Sequence, residues 1–392
     1  MRAEKVLLEP VDRIGNQMIT ERTARRAPFR HLDPVLLSTA FFLIAFGVVM
    51  VYSATAARQS SAGLDPTYFM KRQILFASLG LLVLGLLSVL DYRRLRTAAA
   101  FGYLASLVLL AAVLSPLGEE VSGARRWINL GPLQFQPSEI TKVVLLVVLA
   151  AYLARRDGQI RKRDIGVVLG LVGLPAALIF LEPDLGTMLV LLCLTGGLLM
   201  VAGTKFRHLV ALALLAVVAV FGALQLGLVR GYQVERLTAF MAPSPDVRST
   251  GYNLAQSKIA IASGGVTGKG LGAENTQTSL AFVPEQHTDF IFTAVGEQLG
   301  FVGSAALLAA FALLIWRALR IAAISPDLFG TLLASGIALL WAIQVFVNVG
   351  MTMGMMPITG IPLPFVSFGG SSLIVNLIAV ALLLNVHMRR FV

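Results

Sequence analysis

The segment FVPEQHTDFIF, residues 282–292, sets three ionisable side chains, Glu285, His287 and Asp289, directly ahead of an apolar run that continues to about Trp316. A carboxylate at such an edge can take a proton from an attacking hydroxyl, and an imidazole can shuttle one. Asp289 is equally an ordinary N-cap for the helix that follows, a role worth about 0.5–2 kcal/mol. Capping explains neither His287 nor Glu297. Glu297 lies eight residues on and roughly 80° around a helix. A carboxylate two turns into a membrane span must face protein or water, and Lys142 is a partner of suitable charge.

Cations gather in GARRWINLGPLQFQPSEITK, residues 123–142. Pro137 suits a helix start and Glu139 its first turn. Glu139 and Lys142, three apart, can simply pair. Equally, Arg125, Arg126 and Lys142 can meet an anionic ligand. In LEPDLGT, residues 181–187, Asp184 is placed to cap the next helix. SGGVTGKGLG, residues 263–272, fails as a phosphate loop. Ser263 stands where a Walker A loop needs Gly, and Gly270 where it needs Ser or Thr. It reads as a flexible loop. MPITGIPLPFVSFGGSS, residues 356–372, carries three prolines and three glycines between apolar runs. Such backbone is tolerated at membrane depth where it lines a cavity or is buried in protein, so a re-entrant segment is expected, with Ser371–Ser372 capping the last helix. Gln344 and Asn348, four apart, put two amides on one helix face, suited to interhelical hydrogen bonds.

The elements that must position these groups are membrane helices. Of 392 residues, 57% are hydrophobic and 14% charged, with a mean hydropathy of +0.80, which specifies a polytopic all-α membrane protein. Apolar runs of spanning length begin near Val35, Ile74, Ala98, Ile140, Ile165, Leu185, Leu209, Phe290, Phe329 and Leu373, giving about ten helices. With the N-terminus inside, 21 of the 32 Lys and Arg fall in cytoplasmic segments and 10 in outside loops. This asymmetry predicts an N-in, C-in topology and accounts for the net charge of +11 without a nucleic-acid partner. Residues 1–33 read as a cytoplasmic tail and 34–392 as a single membrane domain, with a large outer loop, 230–288, between helices 7 and 8. Within it, GYNLAQSKIAIASGG (251–265) places Leu254, Ile259 and Ala262 at helical spacing, as in a helix lying along the membrane surface. Cys193, the one cysteine, excludes an internal disulfide framework.

On these residues alone three functions fit: an enzyme acting on a lipid-linked anion, a transporter or flippase, and a scaffold for other membrane proteins. Transporters are commonly built from inverted repeats, and none is visible. PSEITK, EPDLGT, FVPEQHTDFIF, GEQLGF and ITGIPLPFVSFGGSS together resemble the shape, elongation, division and sporulation (SEDS) family of peptidoglycan glycosyltransferases, also called the RodA/FtsW family, over nearly the whole chain. MPITGIPLP is most like the RodA, cell-elongation, branch. Phe368 replaces the tyrosine frequent in relatives, and Gln298 replaces an acid, while Glu297 is kept.

The resemblance implies polymerisation of lipid II into β-1,4 glycan strands on the outer face of the plasma membrane during cell elongation. It makes Asp289 the catalytic carboxylate of an inverting reaction, with His287 and Glu285 shaping or supporting it. Arg126 and Lys142 would contact the pyrophosphate directly or through a divalent cation, Mg or Mn, and no organic cofactor is implied. The remaining candidates for substrate binding are Arg125, Glu139, Thr288, Glu297 and Ser371. A class B penicillin-binding protein transpeptidase and other elongation-machinery membrane proteins are the implied partners. A lipid II flippase and a non-catalytic scaffold for the transpeptidase are the alternatives.

Overall fold

The computed structural model describes residues 31–121, 124–131, 133–156, 158–227, 231, 234, 250–273, 276–280, 282 and 285–391. The N-terminal segment 1–30 and most of 228–249 lie outside these. Among the described residues, ten apolar helices follow the expected order: α1 (Pro34–Ser61), α2 (Tyr68–Val89), α3 (Tyr92–Leu114), α4 (Pro137–Leu153), α5 (Lys162–Leu181), α6 (Leu185–Val201), α7 (Phe206–Gln225), α9 (Ile291–Ala323), α10 (Leu328–Thr352) and α11 (Gly370–Met388). Among the described residues, nine are long and apolar enough to cross a membrane, and α6 is a shorter apolar helix. Helices α2 and α3 each start six residues before the apolar run that announces them. Lys71, Arg72 and Gln73, and likewise Arg93, Arg94 and Arg96, wind in the helical frame before the hydrophobic stretch begins. Hydropathy sees the buried segment, not the whole helix.

The all-α expectation needs one correction. Between α3 and α4 the chain forms a three-stranded antiparallel sheet, β1 (Gly118–Val121), β2 (Ala124–Leu130) and β3 (Leu133–Phe135), in the order β1-β2-β3. Trp127, Ile128 and Phe135 favour strands, and Gly131, at φ 76°, makes the tight turn that pairs Leu130 with Leu133.

Helix α8 (Thr250–Ser263) appears where the helical spacing placed it, with one face packed on the bundle. Leu254 is buried against Phe290, Met351 and Ile358. The Ser257 hydroxyl lies 2.6 Å from that of Thr293 and donates to Thr352 O at 2.8 Å. Ile259 and Ala262 are exposed, so the packed face runs through Leu254, Ser257 and Ala260. A serine joins it because two neighbouring oxygens satisfy its hydroxyl.

One continuous apolar core, including Leu36, Leu146, Phe311, Trp341 and Leu377, draws on both halves of the chain. The end of the bundle away from FVPEQHTDFIF is closed by polar clamps from α11. The Asn385 side chain accepts from Tyr92 N and Arg389, and donates to Leu87 O and Leu90 O, gripping the corner between α2 and α3. Asp33 caps α1, takes Arg317 of α9, and lies 4.0 Å from His387.

Helix α9 breaks at Gly300 (φ 63°, ψ −159°). The break frees backbone groups that must find partners in a water-poor setting. The segment SGGVTGKGLG supplies them and is therefore ordered rather than flexible. Lys269 N and Gly270 N donate to Glu297 O and Gln298 O at 3.0 and 2.9 Å, while Phe301 N and Val302 N donate to Gly265 O and Val266 O at 2.9 and 3.0 Å. Replacing Gly300 with Ala would put a Cβ 2.3 Å from Gly268 N and hold a left-handed φ on a residue that resists it. That backbone alone costs about 1–3 kcal/mol. The melting temperature of purified Gly300→Ala is expected to fall clearly, whereas Gly173→Ala, whose added methyl meets nothing within 4 Å, leaves it unchanged or slightly raised.

Candidate active site

Residues 285–290 form a tight turn ahead of α9. Glu285 holds φ 52°, and its carbonyl accepts from Thr288 N (3.2 Å) and Phe290 N (3.3 Å). The Thr288 hydroxyl folds back onto the Glu285 carbonyl at 3.1 Å. Gln286 stitches the turn to its surroundings, donating to Ala54 O of α1 and Thr278 O, each at 2.8 Å. The His287 ring packs 4.6 Å from Phe69 and 5.7 Å from Phe368, and Phe368 N donates to His287 O at 2.8 Å. Burial lowers the His287 pKa, against the pull of Glu285 and with the help of Arg58, so the imidazole is neutral at pH 7.

Asp289 is half-buried. Its carbonyl accepts from Asn348 Nδ2 at 2.8 Å. The capping position of α9 belongs to Phe290, which offers no side-chain cap, so the helix does not begin on Asp289 as simple capping requires.

A second polar group surrounds the start of α4. Lys142 and Glu139 are both buried and pair at 2.6 Å, the structural alternative for these residues. Asp184 caps α6, accepting from Thr187 N at 3.1 Å and Thr187 Oγ1 at 2.9 Å, with Gln136 Nε2 at 3.3 Å. Ser371 does not cap the last helix. Gly369 holds that position, and Ser371, inside the first turn, accepts from Gln136 N and donates to Gln134 O. Arg126 donates to the carbonyls of Glu182 (3.1 Å) and Pro183. Arg125 is exposed and reaches only Glu120, at 3.5 Å across β1 and β2.

The irregular segment 353–369 links the two groups. Gly186 of the corner touches Thr359 O so closely that a Cβ would sit 2.5 Å away. Ile361 O accepts from Asn348, and Phe368 covers His287.

Glu297 joins neither group. Wholly buried, it accepts from Lys269 Nζ (2.9 Å), Gln277 N (2.8 Å), Thr278 N (2.8 Å) and Thr278 Oγ1 (2.6 Å). The expected partnership with Lys142 is thus corrected: Lys269 holds Glu297, and Lys142 holds Glu139. Its saturation makes Glu297 an anchor for loop 264–280, with no exposed surface for a substrate contact. Gln298, the replaced acid, accepts from Ser53 at 2.5 Å, and Ser53 in turn accepts from Gly272 N. Among the described residues no three His, Cys, Asp or Glu side chains come together as a metal site.

A model of the cell cycle protein family FtsW/RodA/SpoVE matches residues 34–391. The chain belongs to the FtsW/RodA/SpoVE family. It is 38% identical over 360 residues to a probable peptidoglycan glycosyltransferase FtsW of Geobacter sp. (strain M18), covering 91% of this chain and 97% of that one. It is 37% identical over 361 residues to the peptidoglycan glycosyltransferase MrdB of Escherichia coli K12, covering 92% and 94%. Among solved structures, a chain from work on polymerization and crosslinking by a peptidoglycan synthase complex superposes with a TM-score of 0.76 at 36% identity, covering 92% and 98%. The rod shape determining protein RodA of Thermus thermophilus does so at 0.67 and 34%, covering 92% and 97%.

Three roles were not assigned from sequence: Asn348 was expected to bond between helices rather than to Asp289 O, Lys269 was not expected to hold Glu297, and Glu182 was not singled out. The signal for Lys269 was present, since an unpaired cation in a glycine-rich loop near a buried acid needs a partner. Glu182 is fully buried, and neither carboxylate oxygen has a hydrogen-bond partner among the described residues. Burial raises its pKa to about 8, with Asp184 adding to the rise and Arg126 opposing it. The folded protein therefore keeps a proton that the unfolded chain releases above the ordinary 4.5, and stability falls as pH rises through that window. Glu182→Gln stays neutral throughout. Its melting temperature relative to the unsubstituted protein should climb between pH 5 and 8 and level off above, in thermal melts across that range.

Proposed function

We propose that this peptidoglycan glycosyltransferase of the FtsW/RodA/SpoVE family polymerises lipid II into β-1,4 glycan strands during cell elongation. Its site faces the outside of the plasma membrane, as the Lys and Arg distribution supports. Asp289 takes the proton from the acceptor 4-hydroxyl as that oxygen attacks the donor sugar carbon, inverting it and releasing the polyprenyl pyrophosphate. The observation that carries this reading is the placement of Asp289. It rides on a turn fixed to three other segments, half-buried, one residue ahead of the helix cap.

Pyrophosphate leaving with negative charge calls for a cation. Arg126 is the better candidate. Its guanidinium rests on two carbonyls, and burial raises the pKa of the neighbouring Glu182 to about 8, which weakens the opposing charge beside it. Lys142, already neutralised by Glu139, contributes less. His287, neutral and walled by Phe69 and Phe368, shapes the turn. The similar chain solved in a peptidoglycan synthase complex supports a class B penicillin-binding protein as partner.

Purified chain with its transpeptidase partner and lipid II should make glycan polymer. Asp289→Asn, which caps as well as Asp, is expected to lose at least about 100-fold in polymerisation rate, the usual share of a general base, while His287→Ala keeps most of it. Arg126→Gln should slow turnover with the fold intact. Polymer formation that survives Asp289→Asn overturns the base assignment. Transbilayer movement of lipid II without polymer identifies a flippase instead.

A further inference from the structure

We propose that Asn348 is a positioning residue for the reaction, acting through Asp289 because its one amide group fixes the turn that carries the carboxylate to the irregular segment 353–369. This rests on the reading of Asp289 as the base. Asn348 sits near the end of α10, with no exposed surface. Its Nδ2 has two hydrogens, and both are used: 2.8 Å to Asp289 O and 2.7 Å to Ile361 O. These two carbonyls belong to segments that no regular hydrogen-bond ladder joins. Each lies at a non-helical stretch of a buried region, where an unpaired carbonyl is costly.

The geometry has a chemical consequence. The Asp289 carboxylate is three bonds from the clamped carbonyl carbon, so the donor that fixes that carbonyl also fixes the origin from which the side chain reaches. Ile361 is two residues from Thr359, which touches Gly186 in the corner holding Asp184, and that corner holds Arg126 through the carbonyls of Glu182 and Pro183. Asn348 is thus the joint between the proposed base and the proposed cation. Misplacing a reacting group by about 1 Å costs on the order of 100-fold in rate, and a loose joint displaces the base without removing any group that touches substrate.

Removing the donor should therefore lower kcat and leave KM for lipid II nearly unchanged. In the complex of full chain and transpeptidase, Asn348→Ala is expected to cut kcat about 30- to 100-fold, with KM within threefold. Asn348→Ser, which keeps one hydroxyl donor, should fall in between. Asn348→Asp preserves the volume but turns acceptor oxygens toward both carbonyls, so it should be at least as slow as Asn348→Ala, where a packing role would leave it mild. A folded Asn348→Ala with kcat within threefold of the parent overturns the inference, as does a rise in KM at constant kcat. Failure of both Asn348→Ala and Asn348→Ser to yield folded protein would assign the residue to stability and overturn it too. Asp289→Asn is assayed in parallel. If that variant stays active, the base assignment is what fails; if it is inactive while Asn348→Ala is normal, only the joint fails.

Discussion

A broken helix sets the terms for this fold. At Gly300 the backbone of α9 leaves helical geometry, and carbonyls and amides on either side lose their partners inside a largely apolar bundle. They could not be left unpaired there, because each would cost a substantial part of the marginal stability of any protein. The glycine-rich segment 264–270 answers the demand by running its own backbone alongside, so close at Gly264 and Gly268 that a Cβ there would strike the α9 backbone. Glu297, just before the break, then collects four further donors from Lys269, Gln277 and Thr278. Thr278 passes the restraint to Gln286, and Gln286 to the turn bearing Asp289. The position of the candidate catalytic carboxylate follows from how a helix interruption about three turns below it is satisfied.

Charge is distributed on the same principle. Buried ions need partners, and most here have them: Glu139 with Lys142, Glu297 with Lys269, Asp33 with Arg317. Glu182 departs from the pattern, since burial raises its pKa to about 8 and neither carboxylate oxygen has a hydrogen-bond partner among the described residues, while Arg126 is held by two backbone carbonyls. A positive group arranged in that way is stable without a ligand and still attracts an anion. His287 takes the opposite course. Stripped of water between two phenylalanines, it adds shape without charge.

Much of this was legible from residue order. Ten apolar runs, the helix in 250–263, the caps at Asp184 and the pair of Glu139 with Lys142 all follow from local patterns of hydrophobicity and i, i+3 spacing. What was not legible depends on contacts between distant segments. Nothing near Glu297 says that its partner is Lys269 rather than Lys142, since both are cations and the choice is made by how the loop folds back. The sheet at 118–135 was hidden because its strands are short and its sequence also looks like a loop entering a helix. Ser371 and Ser372 had the composition of caps, but Gly369 took that position, and Ser371 was drawn to β3 by two backbone groups that needed it. Asn348 was recognised as a hydrogen-bonding residue, yet its two acceptors are carbonyls, which carry no sequence signature.

The clamps at the far end of the bundle bear on how the chain is made. Asn385, in the last turn of α11, bonds Tyr92, Leu87 and Leu90 and so closes a corner between α2 and α3, which are among the first helices to be made. Asp33, at the very start of α1, likewise takes Arg317 from α9 and approaches His387 from α11. Until α9 and α11 are made, Asp33 lacks Arg317 and His387, and the corner between α2 and α3 lacks Asn385. The last helix to arrive is therefore the bolt that locks a corner made by the first.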